Sequence, residues 1–270
     1  MACCPAHDDR TPSLGVSLGQ NAILFHCFAG CSQNEVLSAL GRIGINPRDL
    51  FSQSGFQREQ VGKPGNSPSR NALRLWREGR FIHDTPAKTY LEARSIRASS
   101  RELRFHPRTP LGAKSAVRFL PAMIAAVSLD ERLIAIHRTF LSETTPEKAK
   151  FDNPKRALGE LGVGAVRLFP PADGKLGLAE GIESALSARA LTGIPVWATL
   201  GNKRFGTVAI PDSVTELHLF VDADEGGEIA AERALKVYGR EGRTIKVRTP
   251  SVPGTDWNDE LVSWCAFRKT

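Results

Sequence analysis

The sequence lacks several features that would place it at once in a common class. It has no apolar run of membrane-spanning length, about 20 residues, and no signal peptide, so we expect a cytoplasmic protein that does not enter a membrane. It has no phosphate-binding loop of the G-x-x-x-x-G-K-[ST] type, which excludes a P-loop motor such as a helicase within this chain. Tyrosine is scarce, because only Tyr90 and Tyr238 occur.

The charge balance favours a polyanionic partner. The chain carries 36 Lys and Arg against 29 Asp and Glu, a net charge of +7 with an isoelectric point near 9.4. Its hydrophobic content of 41% suffices for a folded core. The basic excess is concentrated, because residues 42–118 hold sixteen basic against six acidic residues. Any single arginine there fits a solvated surface, but the segment as a whole predicts contacts with nucleic-acid phosphates.

The most informative segment is LHLFVDADEGG at 217–227. A buried strand is predicted to run directly into Asp222 and Asp224, and a helical pattern follows the two glycines. Carboxylates at the carboxyl end of a strand lie at the edge of the sheet where α/β folds bind ligands. Two acids so close repel each other unless a divalent cation such as Mg²⁺ or Mn²⁺ neutralises them. The alternative is that the pair only forms a turn or a helix cap.

Two further segments repeat this pattern. Upstream, KLGLAEGIESALSARAL predicts a buried strand ending at Glu180 and then a helix that carries Glu183. Downstream, a predicted strand and a Pro/Gly loop lead to Asp256 and Asp259 at a helix start. Because parallel strands end at the same edge, we expect these acids to converge on one metal site. The simpler alternatives are a solvated helix face for Glu183 and a helix-capping role for one of the two aspartates.

The order of these motifs resembles the Toprim domain, the catalytic fold of DnaG-like primases and of some topoisomerases and nucleases. The resemblance covers about 171–270 and implies that the glutamate acts on a metal or as a general acid or base, and that the D-x-D pair holds the metals. Glu225 departs from the small or neutral residue that relatives often carry beside the pair. The implied catalytic residues are Glu180, Asp222, Asp224 and Asp256, and these four together with Asp259 are the candidate ligands of Mg²⁺ or Mn²⁺.

The amino-terminal segment contains two pairs of candidate zinc ligands. A C-x₂-H pair and a C-x₃-C pair flank two short predicted strands around a Gly-Gln-Asn turn. Such a hairpin brings together three sulfurs and one imidazole, the donor set of a closed, structural zinc site, and Zn²⁺ would supply much of the folding energy of so small a module. The neighbouring Cys3 and His26 fit the spacing less well. The candidate ligands are Cys4, His7, Cys27 and Cys31.

This segment is similar to the CHC₂ zinc-binding domain of DnaG-like primases, including the Thr-Pro-Ser after the first pair. Its three residues between the last two cysteines depart from the usual two, a variant associated with primases of plasmids and phages. Met1 stands where an internal strand is expected, so we expect a truncated chain or a start at a downstream methionine. Cys265 has no evident partner and is assigned to packing, and the few cysteines fit a reducing compartment.

The fold class that these segments predict is α/β, with a Toprim-type parallel sheet flanked by helices, an α+β basic subdomain and an amino-terminal zinc ribbon. Helices are predicted over 34–44, 71–82 and 85–96, the last capped at Thr85. A stretch rich in Ser, Gly, Gln and Pro reads as a flexible linker. The predicted domains are a zinc ribbon at 1–51, the linker at 52–71, the basic subdomain at 72–170 and the Toprim domain at 171–270.

The basic middle segment resembles, more loosely, the amino-terminal subdomain of the DnaG-like polymerase core. IAIHRTFL resembles a strand that ends in an arginine, KAKFDNPKRALG resembles a Lys-x-x-Asn-x-Pro segment, and WATLGNKRF resembles the loop after the second Toprim strand. Surface solvation is the simpler reading of Lys148 and Lys155. The nucleotide or template contacts that the resemblance implies are Arg138, Lys150, Asn153, Lys155, Arg156, Gly201, Asn202 and Lys203.

These resemblances imply a DNA primase that makes short RNA primers on single-stranded DNA by metal-dependent nucleotidyl transfer, for replication of a plasmid, phage or other mobile element. The expected cofactors are structural Zn²⁺ and catalytic Mg²⁺ or Mn²⁺. The expected partners are the single-stranded template, ribonucleoside triphosphates and a replicative helicase in another chain or missing region. The expected location is the nucleoid region of a bacterial or phage-infected cell.

Two alternative functions stay open. A Toprim nuclease would use the same acids for hydrolysis, but it would not need the zinc ribbon. A nucleic-acid-binding module would explain the zinc and the charge, but it would leave the acidic edge without a role. A topoisomerase is excluded, because neither Tyr90 nor Tyr238 is placed as a nucleophile in a separate domain.

Overall fold

A computed structural model describes residues 2–18, 23–43, 69–112 and 116–268, and the chain divides into two compact units, Met1–Lys63 and Pro64–Thr270. The linker expected at 52–71 falls outside the described residues up to residue 68. Among the helices in the described ranges, none is long and apolar enough to cross a membrane.

The first unit is a hairpin followed by a helix, as the sequence predicts. Strands β1 (Leu14–Leu18) and β2 (Ile23–Cys27) pair in antiparallel register. Helix α1 (Gln33–Arg42) begins with a capping box, in which the Ser32 hydroxyl accepts from the Glu35 backbone N–H and the Glu35 carboxylate accepts from the Ser32 N–H. The hairpin and the helix enclose a small core of Cys4, Leu14, Cys27, Val36 and Leu40.

A five-stranded antiparallel sheet forms the first half of the second unit. Its strands are β3 (Arg80–Phe81), β4 (Leu103–Leu111), β5 (Arg118–Leu129), β6 (Arg132–Phe140) and β7 (Lys155–Leu158). They lie side by side in chain order, and each neighbouring pair is antiparallel. This sheet is the α+β subdomain that the alternating apolar runs predict.

Two helices precede and cover this sheet, and their bounds differ from those predicted. Helix α2 (Arg70–Glu78) ends earlier than the predicted 71–82, because Gly79, a residue of low helix propensity, adopts an extended conformation with ψ of 141°. The chain then turns into β3. Helix α3 (Pro86–Ala93) begins after Thr85, whose hydroxyl donates to the Ile82 carbonyl at 2.6 Å instead of capping the helix.

The second half of this unit is a parallel sheet flanked by helices, which confirms the predicted fold class. The strands are β8 (Lys175–Ala179), β9 (Val196–Ala198), β10 (Glu216–Phe220) and β11 (Thr244–Arg248). The helices are α4 (Ile182–Thr192), α5 (Glu225–Tyr238) and α6 (Trp257–Phe267). The strand order is β11-β10-β8-β9 and all three pairs are parallel, so every strand ends at the same edge.

The two sheets share one hydrophobic core. The cluster contains Phe105 and Val127 of the antiparallel sheet, Leu186 of α4 and Phe220 of β10. Buried apolar area of this kind is the main stabilising term in folding. The basic subdomain and the acidic edge therefore belong to one packed unit, which fixes the positions of the side chains described next.

Candidate active site

The predicted acids meet at the carboxyl edge of the parallel sheet. Ala179, the last residue of β8, pairs with Phe220, the last residue of β10, so Glu180 leaves the sheet one residue out of register with Asp222, close enough for its charge to raise the pKa of Asp222. The loop before α6 is tied to the same place, because the Ala223 N–H donates to the Thr255 carbonyl at 3.0 Å and the Gly254 N–H donates to the Ala223 carbonyl at 2.7 Å. Three separate segments thus present carboxylates at one edge.

Three of the aspartates also cap helices. Asp224 Oδ1 accepts from the Gly227 N–H at 2.7 Å at the start of α5. Asp256 Oδ1 accepts from the N–H groups of Asn258 and Asp259 at 2.7 and 2.9 Å. In turn, Oδ2 of the exposed Asp259 accepts from the Asp256 N–H at 3.1 Å. Asp224 and Asp256 can therefore cap a helix and still contribute to the acidic edge, because each uses only one carboxylate oxygen in its cap.

Asp222 is the electrostatic centre of the edge. Among the described residues its buried Oδ1 has no hydrogen-bond partner. Burial, and then the charges of Glu180, Asp256 and Asp224, raise the pKa of Asp222 to about 7. A buried carboxylate oxygen without a donor, among other carboxylates, is the arrangement that a divalent cation stabilises. The donor set of hard oxygens suits Mg²⁺ or Mn²⁺.

The surroundings of Glu180 shift its pKa in opposite directions. Burial raises its pKa, the nearby Lys155 ammonium and the Asn202 backbone N–H lower it, and the charges of Asp224 and Asp256 raise it again, with a net upward shift. The loop after β9 is fastened to the same residue, because its backbone donates to the Glu180 carbonyl from Leu200 at 2.8 Å. The glutamate is therefore fixed at the acidic edge with a raised proton affinity.

The D-x-D-x-x-G spacing has a steric reason. A Cβ on Gly227 would lie 2.0 Å from the backbone oxygen of Asp222, a separation that no side chain can occupy. The neighbouring Gly226 is less constrained, since its Cβ would meet the flexible Asn202 amide nitrogen at 2.9 Å. Gly227 thus lets the first turn of α5 pack directly on the backbone of the first aspartate.

Glu183 belongs to a buried contact that the sequence did not reveal. The side chain is only 5% exposed, which contradicts the solvated-face reading. Its Oε1 accepts from the Tyr90 hydroxyl at 2.6 Å, and its Oε2 accepts from Lys155 Nζ at 2.9 Å. Burial acts to raise the pKa of Glu183, but Lys155 and Tyr90 outweigh it and lower that pKa to about 2. The contact ties α3 and β7 to the start of α4, directly after Glu180.

We expect Glu183→Gln to lower the free energy of unfolding by about 2 kcal/mol. Losing one charge of a buried pair costs about 3–5 kcal/mol, and the partly exposed Lys155 reduces this figure. Denaturant unfolding of Glu183→Gln, Tyr90→Phe and the double variant measures the coupling. Glu228→Gln, on the exposed face of α5, is the matched control. Equal stabilities for Glu183→Gln and Glu228→Gln would contradict the assignment.

We expect Asp222→Asn to become more stable than the wild type as pH rises in the absence of divalent metal. The folded-state pKa of Asp222 lies above its ordinary value of 3.8, so its contribution to stability is full below 3.8 and is lost as pH rises through about 7. The asparagine variant escapes this loss, a difference of about 2 kcal/mol once solvent screening is included. Thermal unfolding between these pH values measures it, with Glu160→Gln as the control. A difference independent of pH would refute the assignment.

The basic and loop residues that the sequence predicts as nucleotide or template contacts lie in three different environments. Arg138 is 8% exposed and donates to the Pro110 and Ala157 carbonyls at 2.8 and 3.1 Å, so it holds strands together. Lys155 faces the acidic edge. The remaining nominated residues are surface or half-exposed positions near β7 and after β9, namely Lys150, Asn153, Arg156, Gly201, Asn202 and Lys203.

The four candidate zinc ligands converge in the first unit. The ligand atoms of Cys4, His7, Cys27 and Cys31 all lie within 4.8 Å of one another. His7 Nδ1 lies 3.2 Å from Cys31 Sγ and 4.0 Å from Cys27 Sγ. Tetrahedral zinc bonds sulfur at about 2.3 Å and nitrogen at about 2.0 Å, so this donor set fits the ion.

Asp9 fixes the backbone around this cluster, a role that the sequence reading missed. Its Oδ2 accepts from the Cys4 N–H at 2.6 Å and from the Ser13 hydroxyl at 2.7 Å. Its Oδ1 lies 3.8 Å from His7 Nε2, too far for a hydrogen bond, and that ring nitrogen instead lies 3.5 Å from the Ser13 hydroxyl. Groups around a metal ligand commonly hold it in position, and Asp9 does so here through Cys4 and Ser13. The C-x₂-H-x-D spacing is the signal that could have identified it.

The thiols of the cluster oppose each other's ionisation. Burial raises the pKa of Cys27, but the backbone N–H groups of Cys31 and Ala29 outweigh it and lower the pKa to about 6. Burial and the neighbouring Cys27 thiolate raise the pKa of Cys31 to about 11. A bound cation would allow both to ionise, which is how zinc binding and folding become coupled.

We expect Cys27→Ser to lose a bound zinc ion that the wild type retains, as measured by native mass spectrometry. Because Cys4 and Cys27 belong to the small core against which α1 packs, the variant should also lose hydrogen-exchange protection in α1 while β8 and β10 stay protected. Cys3→Ser is the matched control, since Cys3 is exposed. Full zinc retention in Cys27→Ser would rule out this ligand set.

Two sequence profiles match the chain. The Toprim domain profile matches residues 175–265, and the profile of a domain of unknown function (DUF7146) matches residues 66–168. No curated protein matches the chain. Residues 175–265 are therefore a Toprim domain, with the parallel sheet and the acidic edge described above.

Solved structures of primases share the fold of this chain at low sequence identity. The RNA polymerase domain of Mycobacterium tuberculosis primase DnaG is 14% identical with a TM-score of 0.50, covering 76% of this chain and 83% of that one. The same domain in complex with double-stranded DNA is 13% identical with a TM-score of 0.50, covering 74% and 77%. The zinc-binding and RNA polymerase domains of Aquifex aeolicus primase are 16% identical with a TM-score of 0.49, covering 98% and 76%.

Both tyrosines are buried and hydrogen-bonded. Tyr90 donates to Glu183, and Tyr238 donates to the Val208 carbonyl at 2.9 Å. Burial raises the pKa of both, that of Tyr238 to about 12. Neither hydroxyl is available as the nucleophile of a topoisomerase.

Proposed function

We propose that this protein is a DNA primase that joins ribonucleotides on single-stranded DNA, serving the replication of a plasmid, phage or other mobile element. The observation that carries the proposal is the acidic edge of a Toprim domain, where Asp222 has a buried oxygen without a donor among the described residues. The fold that 76% of this chain shares with the RNA polymerase domain of Mycobacterium tuberculosis primase DnaG supports it.

Glu180, Asp222, Asp224 and Asp256 would hold Mg²⁺ or Mn²⁺. When bound, the metal lowers the pKa of the attacking hydroxyl and neutralises the charge of the leaving pyrophosphate. Asp259 is the weakest of the candidate ligands, because among these carboxylates its charge raises the pKa of Asp222 least. Oxygen atoms not used in caps remain on both Asp224 and Asp256.

The transfer joins the 3′-hydroxyl of one ribonucleotide to the α-phosphorus of the next. The new bond is oxygen to phosphorus, and the bond from the α-phosphorus to the bridging oxygen of the β-phosphate breaks, releasing pyrophosphate. Glu180 is the candidate acceptor of the hydroxyl proton, because its pKa is raised. Its position is fixed by the backbone of the loop after β9.

Basic groups beside the edge would bind the phosphates of nucleotide and template. Lys155 lies closest, since it acts electrostatically on both Glu180 and Glu183. Gly201, with φ of 134°, presents backbone without a side chain in the loop after β9, next to Asn202 and Lys203. Lys150 and Arg156 are further phosphate contacts in this proposal, and Asn153, with φ of 55°, shapes their turn. Arg138 supports the sheet beneath them.

The Cys/His cluster would hold structural zinc, because four protein ligands leave no open position. In this proposal the zinc ribbon selects the template or senses the initiation site. A replicative helicase on another chain would bring the primase to unwound DNA, since no P-loop motif occurs in this sequence.

The test is to incubate the purified protein with end-labelled single-stranded DNA, labelled ribonucleotides and Mg²⁺ or Mn²⁺, and to separate the products on a denaturing gel. The proposal expects short labelled RNA and intact DNA. Shortened DNA without RNA would replace the proposal with a Toprim nuclease. Tight DNA binding with neither product would replace it with a binding module.

A further inference from the structure

The exposed face of α2 carries a line of arginines. Arg70, Arg74 and Arg77 follow one another at i, i+4 and i+7, so they share one helix face with neighbours about 5–6 Å apart. This face is opposite the buried Ala72 and Leu75. Among the described residues neither Arg70 nor Arg77 is paired with a carboxylate, while Arg74 lies 3.8 Å from Glu78.

The first of these arginines does not serve the helix. Arg70 is the first residue of α2, where a positive charge opposes the helix dipole and lowers helix stability. No acidic residue occupies the first turn to compensate it. A position that costs stability points to a role in binding.

An exposed aromatic ring follows α2 in the chain and is linked to it through Arg104 and Trp76. Phe81 is 61% exposed and pairs across β3 and β4 with Arg104. The Arg104 guanidinium lies 4.3 Å from the Trp76 ring and 5.5 Å from the Phe81 ring, and it donates to the Trp76 carbonyl at 2.6 Å. The stack holds the Phe81 ring in place with much of it open to solvent.

This surface is separate from the acidic edge. The buried residues of α2 pack with Ile124, Ile136 and Phe140, in a cluster that contains no described residue of the Toprim domain. The parallel sheet packs instead with the cluster that includes Phe105 and Val127. A polymer bound along α2 therefore lies on the side of the antiparallel sheet away from the carboxylates.

We infer that Arg70, Arg74, Arg77 and Phe81, which we call the α2 surface, bind single-stranded DNA outside the catalytic site. The arginines contact successive phosphates, and a base stacks on Phe81, which a paired duplex base cannot do. The surface holds the template strand beyond the segment being copied. The inference depends on the proposed function only for the choice of DNA as the bound polymer.

The test is the salt dependence of binding to fluorescent oligothymidylate, measured by anisotropy without nucleotides or added Mg²⁺. Arg70→Gln/Arg74→Gln/Arg77→Gln is expected to reduce the slope of log Kd against log salt by about 2, because each phosphate contact on a single strand contributes about 0.7. The matched control removes the same charge from exposed positions elsewhere, Arg132→Gln/Lys175→Gln/Lys236→Gln, and should leave the slope unchanged.

A second variant tests the base contact. Phe81→Ala is expected to weaken binding about tenfold with the slope unchanged, and Phe81→Trp is expected to restore it. Equal slope changes in both triple variants, an unchanged slope in the α2 variant, or a wild type that binds duplex as tightly as single strand would each overturn the inference. Because no nucleotide is joined in this assay, a failure of primer synthesis would reject the proposed function and leave these results standing.

Discussion

Asp222→Asn combined with Asp224→Asn is expected to reduce primer synthesis at least about 10³-fold, equivalent to about 4 kcal/mol of transition-state stabilisation. The two changes remove the negative charges that would hold the catalytic cation in the proposed mechanism. Asparagine keeps the shape of both side chains, and at Asp224 it preserves the cap on α5, because Asn caps helices as well as Asp does. Steady-state rates of ribonucleotide incorporation on single-stranded DNA measure the effect.

The matched control for this variant is Glu225→Gln. Glu225 is an exposed carboxylate directly beside the pair, so its substitution removes a charge from the same loop without emptying the metal site. We expect its rate to stay within a few-fold of the wild type. If the double asparagine variant and Glu225→Gln lost activity equally, the assignment of Asp222 and Asp224 as metal ligands would fail.

Gly227→Ala is expected to be the most damaging of the possible Gly→Ala substitutions in the Toprim domain. Its Cβ would stand 2.0 Å from the Asp222 backbone oxygen, so either α5 or the aspartate must move. Overpacking of this kind costs about 3 kcal/mol, and a displacement of about 1 Å at a catalytic group costs about 10²-fold in rate. Thermal unfolding and primer synthesis measure the two effects.

Gly226→Ala is the control for this prediction. There the atoms nearest to the added methyl group belong to side chains, the Asn202 amide nitrogen at 2.9 Å and Asp224 Oδ1 at 3.2 Å. We expect a smaller loss of stability than in Gly227→Ala. Comparable losses in the two variants would mean that the contact with the Asp222 backbone does not determine the effect, since the higher helix propensity of alanine favours both substitutions equally.

The acidic edge could be predicted because its signals are local. Each acid follows an apolar run, and the parallel strands then bring Glu180 and Asp222 to the same edge of the sheet, one residue out of register. The hairpin of the first unit could be predicted for the same reason, since the two ligand pairs stand at fixed spacings around it. Patterns within about ten residues carry this kind of information.

The contacts around Glu183 could not be predicted because they are not local. Its partners Tyr90 and Lys155 are 93 and 28 residues away in sequence, and only the packing of the two sheets brings them together. The predicted end of α2 was wrong for a related reason. The helical pattern of apolar residues continues past Gly79, but the chain becomes extended at that glycine and then pairs with β4, which comes only after α3 in the sequence. Arg138 was likewise predicted as a basic group available to bind phosphate, but it donates to backbone carbonyls of other strands that are distant in sequence.

Formation of the first phosphodiester bond is the most direct test of the central claim, which is metal-dependent nucleotidyl transfer at the acidic edge. With single-stranded DNA, ribonucleoside triphosphates and Mg²⁺ or Mn²⁺, the wild type should release pyrophosphate and form a dinucleotide. The Asp222→Asn/Asp224→Asn variant should bind the DNA and form none. A wild type that bound DNA and metal yet formed no dinucleotide, or a variant that formed it at the wild-type rate, would contradict the account.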